Sequence, residues 1–524
     1  MSANEETPVI GKHILSTLTI GMYQDPRMIY REYIQNSADQ IDTLSEDERQ
    51  DKLRQTIVID IDERARRVEI RDQATGISRK DFRTRLLNVA DSKKDPSKNK
   101  GFRGIGRLAG LNYCQKLVFE SSARGETGVS RLEMDGGKMI KILHDPQDRS
   151  LAGDVIRKIS KVSYQEGVDK DYDCWFKVVL EDVRLDVGKE LLDVDSVKAF
   201  ISQIAPVPFS NMNFKAGKEI VEEAEKAGIR VEEYTVRVNG TTVTKPYKDV
   251  LCDAQGRSLG DVGKPVYRSI EWHGKCLAWG WFILPKQGVS LSKLTNPERK
   301  IRLRKGNIQI GFEDFLDPYF PEPRSNGYML GEIHLLSNNI LPNGDRNALE
   351  VSEEAVALTN RLRDDYFRDL WNAAHKANEL KNAKKAVEEY KRVCSEVEKL
   401  SQGGVALGVE AKKTELDNAY EKARAGQLKM QKAVESSSKG DFVKGIVDAM
   451  AKDVGWGRAT LEAPAVVGKI SAKPTTKDTP QGLVRTTGDK LKNAVIKILT
   501  ENGIELMQAY DLAQKINEAV SSTP

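Results

Sequence analysis

Three short segments between residues 31 and 111 constrain this chain more than anything else in it. The first is REYIQNSADQ (31–40), whose spacing predicts a helix that starts near Asp25-Pro26. At about 100° per residue, Glu32, Asn36 and Asp39 share one side of that helix, and Ile34, Ala38 and Ile41 share the other. Such a helix packs its apolar stripe on a sheet and turns its polar stripe to a pocket or to solvent. This stripe holds oxygen-bearing Glu, Asn and Asp rather than an exposed Lys–Glu mixture. Oxygen ligands beside a carboxylate suit Mg²⁺ and a water nucleophile.

The second segment is RDQATGIS (71–78). It closes two alternating runs, TIVIDID (56–62) and RRVEIRD (66–72), which together predict a hairpin. A carboxylate at the strand end, Asp72, could accept a hydrogen bond from an exocyclic amine. Gly76 would let the backbone approach a flat ring. An ordinary surface turn is the alternative. The third segment is GFRGIGRLAGL (101–111), where glycines at G-x-x-G-x-G open a predicted helix that runs into a strand. Backbone N–H groups at such a turn suit phosphates. A glycine hinge is the alternative. No GK[ST] follows, and the glycine order is wrong for a dinucleotide fingerprint. The preceding stretch, 80–106, is polar and Lys-rich, as in a mobile loop.

The order and spacing of the three segments resemble the GHKL ATPases: heat-shock chaperones of the 90-kilodalton class, gyrase B subunits, MutL, MORC proteins and histidine kinases. The resemblance implies that Glu32 activates water, that Asn36 holds Mg²⁺ and that Asp39 supports the nucleotide. It implies that Asp72 reads the adenine amine, with Gly76 and Ile77 beside the base. Gly101, Phe102, Arg103, Gly104, Ile105 and Gly106 would cradle the triphosphate. The lid lysines Lys93, Lys94, Lys98 and Lys100 could approach it, with loop solubility as the alternative. Ala74 stands where the family usually has glycine; a positive φ there would cost alanine about 1 kcal/mol. Downstream, NNILPNGDRNALE (338–350) is similar to the chaperone segment that carries an arginine to the γ-phosphate, which makes Arg346 the second catalytic candidate. A capped turn before a helix is the alternative there.

The implied architecture is α+β. A GHKL (Bergerat) α/β sandwich occupies 1–135, with a lid at about 78–104, and an α+β transducer-like domain follows over 136–350. A long coiled-coil-like helical hairpin spans 351–436, then a linker and a small helical segment over 437–524. The hairpin rests on a heptad seam of Leu380, Val387 and Cys394 interleaved with Ala383, Tyr390 and Val397, followed by a stripe of Leu416, Ala419, Ala423 and Met430. A solvated spacer arm is the alternative. The five cysteines form no CxxC pair, which fits free thiols in a cytoplasmic protein. No apolar run approaches the ~18 residues of a membrane span. The net charge of +4 is too small to argue for nucleic acid. The basic run 293–307, KLTNPERKIRLRKGN, fits a phosphate-backbone contact or a charged strand edge. The expected function is a slow Mg-ATP-hydrolysing clamp of the heat-shock type, a homodimer acting on a protein client. A MutL- or MORC-like nucleic-acid clamp in repair or defence, and a nucleotide-binding scaffold with little turnover, are the alternatives.

Overall fold

The computed structural model describes residues 9–23, 25–91, 100, 104–167, 174–253, 255–284, 298–402 and 406–436, with 495–496, 508–509 and 512–516. The chain divides into two compact units, Met1–Ala374 and His375–Pro524.

The first unit holds an eight-stranded sheet. Its strands are β1 Thr56–Asp62, β2 Arg67–Asp72, β3 Cys114–Ser122, β4 Val129–Asp135, β5 Ser160–Gln165, β6 Trp175–Val183, β7 Thr235–Val238 and β8 Thr241–Val243. They lie in the order β5-β4-β3-β6-β2-β1-β7-β8. Only β1 and β7 run parallel. Alternation sends Ile57, Ile59, Val68, Ile70, Leu117 and Leu180 into one core with Ile29, Tyr33, Ile34 and Ala38 of the helix Met28–Ile41. The other face carries cross-strand ion pairs, with Glu120 taking both Arg131 and Lys177. The boundary expected at residue 135 falls inside this sheet, because β5–β8 lie beyond it and β6 sits between β3 and β2. A short alternating strand carries no local sign of which distant strand it joins.

Two other expectations change locally. Part of the predicted loop over 80–106 is the helix Arg79–Leu87, capped by Ser78 and buried through Phe82 and Leu86. The expected helix after the glycines is a 3₁₀ segment, Gly106–Asn112, leading into β3. Residues 92–99 and 101–103 lie outside the described residues, and with them Lys93, Lys94, Lys98, Gly101, Phe102 and Arg103.

A short pair, β9 Val250–Cys252 and β10 Ser258–Asp261, precedes a five-stranded sheet. That sheet comprises β11 Pro265–Trp272, β12 Lys275–Ile283, β13 Lys300–Lys305, β14 Ile308–Ile310 and β15 Leu330–Leu335, in the order β11-β12-β15-β13-β14. The basic run falls on β13, an interior strand. Arg302 and Arg304 are buried. Arg304 and Lys245 each pair with the buried Glu332 at 2.6 Å. Lys300 meets Asp317 at 2.8 Å, and Lys305 donates to the Ser337 carbonyl at 2.5 Å. These cations are consumed internally, so the described part of the run, from residue 298, is neither a charged edge nor an outward phosphate-binding row; Lys293 lies outside the described residues.

The second unit holds most of the helix Phe367–Gln402 and all of Ala406–Ser436. The two pack antiparallel: Tyr390 meets Tyr420, Lys412 lies 2.7 Å from Glu396, and Gly426 abuts Ala383. Ala383, Tyr390, Val393 and Val397 bury against Leu416, Ala419 and Ala423. Val387 and Cys394, expected in the seam, are half-buried on its flank. The 3.6-residue period drifts against a seven-residue repeat, and Val393 takes the central place. The side chains of Leu380 and Met430 and the linker at 463–482 lie outside the described residues.

Candidate functional site

The helix Met28–Ile41 has no solvated face at its centre. Ile34, Ala38 and Ile41 are buried on the sheet, while Glu32 is 8% and Asp39 1% exposed on the opposite side. That side forms a wall of a cavity of about 470 Å³. Glu32, Asn36, Asp39, Gly76, Ile77, Gly104, Ile105, Gly106 and Arg346 all line it, drawn from four separate stretches of chain. Phe119, Phe176 and Val178 supply apolar lining. The size and the mixture suit a nucleotide-sized ligand.

Asp72 does not line the cavity. It stands behind it at 1% exposure, its Cα paired with that of Phe176. Ser37 Oγ donates to its Oδ2 at 2.7 Å, and the Ala74 N–H donates to its Oδ1 at 3.2 Å. Burial pushes the Asp72 carboxyl up to about 6, and these two donors moderate the shift. Ala74 is buried and lies outside the left-handed region, so alanine pays no φ penalty there. The demanding position is Gly76. Its φ is +64°, and a Cβ would collide with the Ser122 carbonyl. Beside it, Ser121 Oγ accepts from the Ile77 N–H at 2.7 Å and donates to the Trp175 carbonyl at 3.0 Å, which fixes the turn to β3 and β6.

Glu32 Oε1 accepts from the guanidinium of its neighbour Arg31, at 3.2 Å from Nε and 3.0 Å from Nη2. Its Oε2 faces Gly106, where a Cβ would collide with it. Arg31 Nη2 also donates to the Asp345 carbonyl at 3.0 Å, tying the helix to the segment that carries Arg346. Arg346 has φ +56° and donates to the Lys100 carbonyl. Lys100 is the junction of the site. Its N–H donates to Asp39 Oδ1 at 2.7 Å, and its ammonium meets Asp42 at 2.5 Å, Glu232 at 2.9 Å and Tyr234 at 2.9 Å. Burial opposes that charge, but Glu232 and Asp42 hold its pKa above the usual lysine value.

Three participants escape a reading of the sequence. Ser37 looks like filler in the helix until β2 is placed beside it. Gln35 lines the cavity at 4% exposure, and its Oε1 has no hydrogen-bond partner. Arg107 also lines it, immediately after the glycines whose backbone drew attention. Gln35 lies beside Glu32 and Asp39 on the helix, three residues after one and four before the other, which is the sequence signal for it.

Among the described residues, no cluster of three or more His, Cys, Asp or Glu side chains could hold a metal. Asn36 makes no hydrogen bond to the described protein and opens onto the cavity. A single amide oxygen beside phosphates suits Mg²⁺, which keeps several waters and takes few protein ligands. Among the described residues, no helix is long and apolar enough to cross a membrane. No curated protein matches the chain. Residues 29–151 match the family model described as histidine kinase-, DNA gyrase B- and HSP90-like ATPase, and this stretch is a GHKL-type ATPase domain.

Proposed function

We propose that the chain binds Mg-ATP in this cavity, hydrolyses it slowly, and uses the cycle to change its shape around a bound protein, as a clamp of the heat-shock type. The observation that carries the reading is the convergence of Glu32, Asn36, the Gly104–Gly106 turn and Arg346 on one cavity. Asp72, set behind the cavity, accepts from the Ala74 N–H and so positions the turn whose Gly76 and Ile77 line the adenine side. Glu32 takes the proton of the attacking water on Oε2, while Arg31 holds Oε1. Asn36 would hold Mg²⁺, which when bound neutralises charge on the β- and γ-phosphates. Arg346 stabilises charge on the transferring phosphoryl group. Because Arg31 grips both Glu32 and the Asp345 carbonyl, the position of the base depends on the segment carrying Arg346.

The Arg31–Glu32 pair also supports the scaffold reading, since Arg31 occupies Glu32 Oε1. Homodimerisation and a protein client belong to the same proposal. The nucleic-acid clamp loses the support of the basic run, because Arg302 and Arg304 are buried.

The test is nucleotide binding and phosphate release by wild type, Glu32→Ala and Asp72→Asn. Glu32→Ala keeps ATP and loses turnover at least about a hundredfold. Asp72→Asn loses ATP. Wild type that binds no adenine nucleotide, or Glu32→Ala that hydrolyses normally, defeats the proposal.

A further inference from the structure

Among the described residues, four cationic side chains line the cavity: Arg85, Lys100, Arg107 and Arg346. Lys100 is matched by Asp42 and Glu232, Arg346 reaches the Lys100 carbonyl, and Arg85 is exposed. Arg107 differs from all three. It is half-buried, its Nη2 donates to the Asn88 carbonyl, and its Nε has no hydrogen-bond partner. It makes no ion pair among the described residues. Burial pushes its guanidinium down to about 10, and the charge of Asp91 offsets part of that.

Its backbone is fixed to the helix that carries Glu32. Tyr33 donates its hydroxyl to the Arg107 carbonyl at 3.1 Å and accepts from the Gly110 N–H at 3.1 Å. The cation is thus positioned by the fold, with Asp91 acting on it only from a distance and no carboxylate in direct contact among the described residues. A partly buried cation is costly unless an anion completes it. A guanidinium fork with a spare Nε matches phosphate oxygens in particular. The need is real in this cavity, because Glu32, Asp39, Asp81 and Asp91 line it as well and would repel a polyphosphate.

We infer that Arg107 binds the phosphate chain of the nucleotide, adding a charged contact to a turn that otherwise offers N–H groups. The inference rests on the reading of the cavity as a nucleotide site. Its consequence is that affinity follows ligand charge: ATP binds far more tightly than adenosine, and Arg107 supplies much of the difference. A purely structural role, pinning the Asn88 turn, makes a different prediction.

Calorimetry on the full chain separates them, with ATP and adenosine titrated into wild type, Arg107→Met and Arg107→Lys. Arg107→Met should weaken ATP about tenfold to a hundredfold, the range of one or two charge-assisted hydrogen bonds. Adenosine affinity should stay unchanged, which also shows that the variant is folded. Arg107→Lys should recover part of the ATP affinity, because charge returns without the fork. Equal losses for ATP and adenosine, or an unchanged ATP affinity in Arg107→Met, overturn the inference while leaving the nucleotide site standing. Wild type that binds neither ligand overturns the nucleotide reading and the inference with it.

Discussion

Two regions of the first unit bury charge, and they do so in opposite ways. Around β13 and β15, Glu332 is enclosed by Lys245, Arg304 and His334, with Asn307 and Tyr247 completing the shell. Around the cavity, the Asn36 side chain and Gln35 Oε1 meet no partner among the described residues, Arg107 makes no ion pair there, and Asp72 is held close to protonation. The first arrangement is complete in itself and serves architecture. The second leaves groups that a ligand would satisfy. Buried polarity alone therefore does not mark a site; incomplete satisfaction beside a cavity does.

The most drastic way to break this comparison is to open the complete cluster. Glu332→Ala strands Lys245 and Arg304 without their acid and should cost about 3–5 kcal/mol in chemical denaturation. A cost under about 1 kcal/mol would show that the cluster is not architectural.

Asp72→Asn should act in the other direction. The Asp72 carboxyl titrates near 6 when folded, against 3.8 ordinarily. The folded state therefore holds this proton more tightly than the unfolded one. Below about pH 4 both states are protonated; as pH rises towards 6 the native state loses stability, and the loss is complete above 6. Removing the charge should stabilise the ligand-free protein by up to about 3 kcal/mol at pH 7. That gain should vanish below pH 4, while nucleotide binding is lost at every pH. Denaturation midpoints between pH 4 and 7.5 decide it; a variant less stable at pH 7 would place Asp72 with the architectural charges.

The smallest effect belongs to Ala74→Gly. Since Ala74 needs no positive φ, glycine there should gain no nucleotide affinity and should lower stability by about 1 kcal/mol or less. A marked rise in ATP affinity would show that the alanine constrains the turn after all.

Much of the site is legible in the sequence because it rests on local periodicity. The spacing of Glu32, Asn36 and Asp39 places them on one helix face, and β1 and β2 alternate cleanly up to Asp72. What escapes depends on contacts between distant segments. Ser37 matters only because β2 lies beside it. Arg107 matters only because the fold sets it on the cavity with no described carboxylate in direct contact. The basic run over 299–305 misleads for the same reason: charged residues seldom face a core, so Arg302 and Arg304 look like surface until Glu332 is seen between the strands.

The central place of β6 bears on how this sheet can be passed between proteins. The family match ends at residue 151, yet Trp175–Val183 is hydrogen-bonded to β3 on one side and β2 on the other. A fragment cut at the end of the match would keep two disconnected strand pairs, each with a raw interior edge. The matched block is therefore not a transplantable cassette. The smallest piece that inheritance or engineering can move intact must run through β8, carrying the residues after 151 along with the nucleotide site.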